Sequence, residues 1–155
     1  MNFLSKAFSL GGFLQATVTY PPNMSSNTVP SPYVAAASQN NANAYLAFDS
    51  SNTTGWQAAA EFTPGDWLSI DLSTPKSITS YTITTTNDAA QNMAAPKSFI
   101  LEGSANNLAW TAVDAQPNVT WGAGQTTQTF TLGAPSVAYR YFRIYLLESS
   151  IPGTP

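Results

Sequence analysis

From Gly12 onward the chain alternates, with Leu14, Ala16, Val18 and Tyr20 on one side of an extended backbone and Phe13, Gln15, Thr17 and Thr19 on the other. A period of two reads as a strand, because successive side chains of extended chain point to opposite faces. "PPNMSSNTVPSP", Pro21 to Pro32, follows with four prolines and little that can pack, so it reads as a surface connection. After Pro32, strand patterns recur between turn signals at Asp66 to Leu72, Ile78 to Thr86, Ser98 to Gly103, Trp110 to Val113, Thr127 to Leu132 and Tyr139 to Leu147. Such spacing predicts an all-β sandwich or barrel. No stretch past Pro32 supports an amphipathic helix longer than a turn or two, and "AAQNMAA", Ala89 to Ala95, is a loop stopped by Pro96. The expected organisation is a leader, edge strand and Pro-rich connection over residues 1–32 and one sandwich domain over 33–155.

Composition removes whole classes of function. Charged residues are 8 % of the 155, so Thr, Ser, Asn and Gln do most of the solvating, as suits a protein outside a cell. Eight acids face five bases with no basic run, which leaves nothing to neutralise a phosphate backbone or an anionic bilayer. Nucleic acid is therefore not an expected partner. No apolar run approaches the roughly 20 residues that cross a bilayer, so membrane insertion is not expected either. Histidine and cysteine are both missing, and with them the commonest general base, the commonest zinc ligand and any disulfide. The remaining acids are scattered, Asp66, Asp71 and Glu102 in or beside strands, so the chain reads as a non-enzyme.

The order of motifs carries a resemblance. "AFDSSNTTGW", "GDWLSIDL", "KSITSYTI", "APKSFILEGSANNLAWTAV" and "YRYFRIYL" together resemble the discoidin family, also called the coagulation factor 5/8 type C domain, over Val34 to Leu147. The lead-in "NMSSNTVPSPYVAAAS" is similar to that of discoidin-like domains in bacteriophage tail and other virion proteins. The resemblance implies a jelly-roll sandwich of about eight antiparallel strands that binds rather than catalyses, most often holding glycans in loops at one end. Trp56, Trp67 and Trp110 fall where the family keeps aromatics and are expected between the sheets, with Phe99, Leu101, Phe142, Ile144 and Leu146.

Two sites follow from the resemblance. Family members commonly hold a structural calcium, and Asp49, Asn52 and Thr54 in "DSSNTT" offer oxygens to such a cation, which prefers six to eight. The alternative is an Asx turn without an ion. The family usually has Asp-Gly where this chain has Asp49-Ser50, and no cofactor is required by the reading. For glycans, sugar-binding relatives place polar contacts where this chain has Asn87, Asp88, Gln91 and Asn92, although the histidine and arginine common in galactose binders are missing. Trp121 stands in a Gly-rich loop, as a stacking platform for a sugar ring or as simple packing.

The expected function is a recognition module on a virion surface, holding a cell-surface or capsular glycan. The alternative is a structural virion protein, a capsid decoration or a tail or fibre component, that uses the sandwich only for contacts with other virion proteins or copies of itself. A secreted bacterial protein is the alternative location. The family's closing strand is not reached by Pro155, and the leader is expected to dock on a sandwich surface in partial compensation, its Phe13 to Tyr20 strand pairing at a sheet edge. The expected contact surface joins Phe3, Leu4, Phe8 and Phe13 of the leader with Tyr139, Tyr141, Arg143 and Tyr145, assigned to the outward face of the last strand.

Overall fold

The structure, a computed structural model, describes residues 1–5, 18–51, 53–58, 63–85, 95–122 and 124–149, with the backbone alone for 2–5 and 18. Two antiparallel sheets form the jelly-roll sandwich. One has the order β3 (Val34–Ala37), β4 (Trp67–Lys76), β9 (Tyr139–Ser149), β6 (Pro96–Ser104), β7 (Thr111–Gln116). The other has the order β2 (Val18–Tyr20), β1 (Asn2–Ser5), β5 (Ser80–Thr84), β8 (Thr127–Thr131). A 3₁₀ helix over Asn41–Ala47 is the one helix among the described residues.

Alternation builds the core. Leu68, Ile70 and Leu72 of β4, Phe99 and Leu101 of β6, and Phe142 and Ile144 of β9 point inward from the larger sheet. Tyr81 and Ile83 of β5 and Phe130 of β8 meet them from the smaller one. The two layers lock through three rings: Tyr81 stacks on Phe130 at 4.9 Å between centroids, and Phe99 meets Phe130 edge-on at 5.4 Å.

The leader joins this frame. β1 pairs with β5 through Phe3↔Tyr81, and β2 pairs with β1 through Phe3↔Tyr20, so residues 18–20 form the outer edge of the smaller sheet. Phe8 and Phe13 lie outside the described residues, as do the side chains of Phe3 and Leu4.

Three expectations about packing are corrected. The Pro-rich connection does pack: Met24 is 3 % exposed within the core cluster, and its amide donates to Phe48 O at 3.0 Å. Asn27 then stitches the segment down, donating through Nδ2 to Asn41 O at 2.6 Å and accepting the amide of Tyr45 at 2.9 Å. Trp67 and Trp110 are not between the sheets. Trp67 pairs with Tyr145 across β4 and β9, on the face opposite buried Leu68 and Ile144, and Trp110 lies over the Arg143 guanidinium at 4.2 Å. Trp56 does pack against the core.

Tyr139 is the third correction. It turns inward, edge-on to Phe142 at 6.0 Å, and its ring covers Gly103. The ladder between β4 and β9 shifts register between Asp71 and Lys76, which breaks the simple alternation at the start of β9. Asp71 fixes that irregularity by accepting two hydrogen bonds from Arg140, at 2.8 and 2.7 Å, and one from the amide of Ser73. Tyr141, Arg143 and Tyr145 keep the outward face.

Candidate functional site

Strand directions decide which loops meet. Trp67 pairs with Tyr145, Phe99 with Gln116, and Thr84 with Thr127, so the chain between β3 and β4, between β5 and β6, and between β7 and β8 leaves the sandwich at one end. Trp121 belongs to the last of these connections.

Its placement is built from backbone bonds on both sides. Val119 donates its amide to Lys97 O at 2.7 Å, and Asn118 donates its amide to Ser98 Oγ at 3.2 Å, which ties the connection to the start of β6. Thr85 and Thr126 exchange bonds at 2.9 Å, Thr126 N to Thr85 Oγ1 and Thr85 N to Thr126 O, which ties the other side to the end of β5. Between them the Trp121 indole donates from Nε1 to Pro96 O at 2.9 Å. The ring is half-buried and packs against the core cluster.

Asn87, Asp88, Gln91 and Asn92 lie outside the described residues. The two flanks of their segment, Thr85 and Pro96, are the residues that hold the Trp121 connection. Beside Pro96, Lys97 Nζ forms an ion pair with Glu148 Oε2 at 3.2 Å, and Ser98 Oγ reaches the same oxygen at 3.3 Å. The hydrogen bond from Lys97, then its charge, holds the Glu148 carboxyl below its ordinary pKa.

The long β3–β4 connection is anchored by a residue whose role the sequence did not disclose. Asp66 is buried, and its carboxylate accepts from Ser38 Oγ at 2.9 Å, from Gln39 Nε2 at 3.0 and 2.9 Å, and from the Thr63 amide at 3.0 Å. Gln39 O in turn accepts the Trp56 indole at 2.9 Å. Next to Asp66, Gly65 has φ of +102° and the Tyr145 hydroxyl 3.1 Å from where a Cβ would stand, so a side chain is disfavoured twice over.

Asp49 and Thr54 come together, while Asn52 lies outside the described residues. Asp49 Oδ1 accepts the Ser51 amide at 2.8 Å and Oδ2 accepts the Thr54 hydroxyl at 2.5 Å, the bonding of an Asx turn. The buried amine of Met1 donates to Ala47 O nearby, its pKa lowered to about 5 by desolvation against the opposing charge of Asp49. Among the described residues no three acidic, histidine or cysteine side chains gather around a common point, and Asp49 is the one carboxylate in the turn.

On the outward face of β9 the Arg143 guanidinium is paired within the sheet. Arg143 donates from Nε to Glu102 Oε2 at 2.5 Å and lies over the rings of Trp110 at 4.2 Å and Tyr145 at 5.0 Å.

The sequence profile of the F5/8 type C domain matches residues 25–153. The chain belongs to the F5/8 type C domain family. No curated protein sequence matches the chain. Solved structures of the same fold include the CpGH89CBM32-5 domain of Clostridium perfringens in complex with GalNAc-β-1,3-galactose, at TM-score 0.63 and 14 % identity, covering 76 % of this chain and 85 % of that one. The family 32 carbohydrate-binding module of NanJ from the same organism, in complex with galactose, is similar at TM-score 0.61 and 20 % identity over 76 % and 83 %. An F5/8 type C domain from Bacteroides fragilis aligns at TM-score 0.58 and 20 % identity over 82 % and 88 %. In this F5/8 type C domain the fold is thus shared with carbohydrate-binding modules.

Proposed function

We propose that this F5/8 type C domain is a non-catalytic glycan-binding module that takes a galactose-type sugar at the loop end carrying Trp121. The observation that carries the reading is the half-buried indole in a loop-end connection, with its N–H satisfied by Pro96. A sugar offers an apolar C–H face to such a ring and a rim of hydroxyls to polar neighbours. The galactose and GalNAc-β-1,3-galactose held by two structural neighbours support the choice of sugar. Asn87, Asp88, Gln91 and Asn92 are the proposed polar contacts, because their segment runs between Thr85, which bonds Thr126, and Pro96, which bonds Trp121.

The proposed setting is a virion surface, supported by the resemblance of Asn23 to Ser38 to virion lead-ins. Labelling of intact particles with an antibody to the domain tests the setting alone.

Titration calorimetry with galactose and GalNAc-β-1,3-galactose tests the function. Binding should be lost in Trp121→Ala and retained in part in Trp121→Phe, which keeps a ring. Equal affinity of all three proteins would remove Trp121 from the site.

A further inference from the structure

We infer that the Lys97–Glu148 ion pair sets the charge preference of the glycan site, admitting neutral sugars and turning away anionic ones. The inference rests on the glycan-binding reading and adds to it the class of sugar. A sugar carboxylate is held most strongly by a cation that can turn toward it, through ammonium or guanidinium hydrogen bonds. Among the described residues Lys97 is the one cationic side chain at the loop end. Lys76 stands at the far end of β4 beside Tyr139, Arg140 is held by Asp71, and Arg143 lies mid-sheet on Glu102.

Lys97 is already engaged. Its ammonium is 3.2 Å from Glu148 Oε2, and Ser98 Oγ holds the same oxygen. The pair is tied to Trp121, since Lys97 O accepts the amide of Val119 and Pro96 O accepts the indole. An incoming carboxylate would compete with Glu148 for Lys97 and face its like charge, a repulsive element of the kind that gives specificity. Both partners are about half exposed, 45 % and 53 %, so the effect is one of discrimination, reduced by salt.

Galactose and galacturonic acid differ at C6 by a hydroxymethyl against a carboxylate and make a matched pair of probes. The test is the ratio of their affinities, by titration calorimetry at low salt and pH 7, for the parent, Glu148→Gln, and the swapped pair Lys97→Glu with Glu148→Lys. The parent should favour galactose. Glu148→Gln should shift the ratio toward galacturonic acid by about three- to tenfold, as expected for removing one like charge at a partly solvated site. The swapped pair, which keeps both charges and their bond, should return the ratio toward the parent's. Melting curves of all three show whether the fold is kept. A parent that binds both sugars equally, or an unchanged ratio in folded Glu148→Gln, would overturn the inference while leaving the glycan site in place. Absence of any glycan binding by the parent, across a wide panel, would overturn both.

Discussion

The hydroxyl of Tyr81 in β5 donates to a carboxylate oxygen of Asp114 in β7 at 2.7 Å, a polar bridge from one sheet to the other through the core. Asp114 also accepts from Gln116 Nε2 at 2.8 Å. Burial first, then the hydrogen bond and charge of Asp114, raise the Tyr81 pKa well above its ordinary 10.0. An acid whose folded pKa is raised keeps its full contribution below the unfolded value and loses it as pH climbs past that value, because only the unfolded chain releases the proton. The urea midpoint should therefore fall above about pH 10, and less steeply in Tyr81→Phe. At pH 7 the same substitution should cost about 1–3 kcal/mol, since it takes a donor from a part-buried carboxylate. Parallel pH profiles of the two proteins would contradict this account.

A second prediction concerns Gly103. A Cβ there would overlap the Tyr139 ring, with Cγ at 2.6 Å. Gly103→Ala should destabilise the domain by about 1–3 kcal/mol, the range for overpacking a filled core. Adding Tyr139→Ala should make the two changes non-additive by thermal melting, because they act on one contact. Strict additivity would place Tyr139 elsewhere.

Asp66 should matter more than its single carboxylate suggests. Asp66→Ala removes the acceptor for Ser38, Gln39 and Thr63 together, and hydrogen bonds to a charged group contribute about 1.5–3 kcal/mol each. Hydrogen exchange should rise across residues 38–58 while β6 and β9 stay protected. Uniform exchange behaviour in variant and parent would show that the connection is held by something else.

Calcium should leave stability unchanged. The turn "DSSNTT" carries one carboxylate, Asp49, so neither added calcium nor a chelator should move the melting temperature. A rise of several degrees with millimolar calcium would show an ion bound to the native state.

Much of the fold was legible because alternation is a local property. Phe142 and Ile144, Phe99 and Leu101 could be assigned from their spacing alone, and all four are buried. Tyr139 could not, because the register shift beneath it depends on Asp71 meeting Arg140, 69 residues away. Trp67 and Trp110 misled for a different reason. A large aromatic fits either face of a strand, and here Arg143 and Tyr145 give the outer face a surface that holds them. β3, "VAAA", carries too little β-branched character to announce itself, and Met24 is one apolar residue among prolines and serines. At the candidate site, Trp121 stood out as a tryptophan in a Gly-rich loop. The Asp66 anchor did not, since its partners Ser38 and Gln39 lie 28 and 27 residues upstream.

The most direct measurement is a galactose titration followed by amide and indole chemical shifts. The account predicts that the Trp121 indole Nε1–H and the amides of Asn118, Val119, Thr126 and Lys97 move together along one binding curve, while the β6–β7 turn at Asn106 to Leu108, at the opposite end, stays still. Shifts that gather at that opposite turn, or a spectrum that does not change with any galactoside, would contradict it.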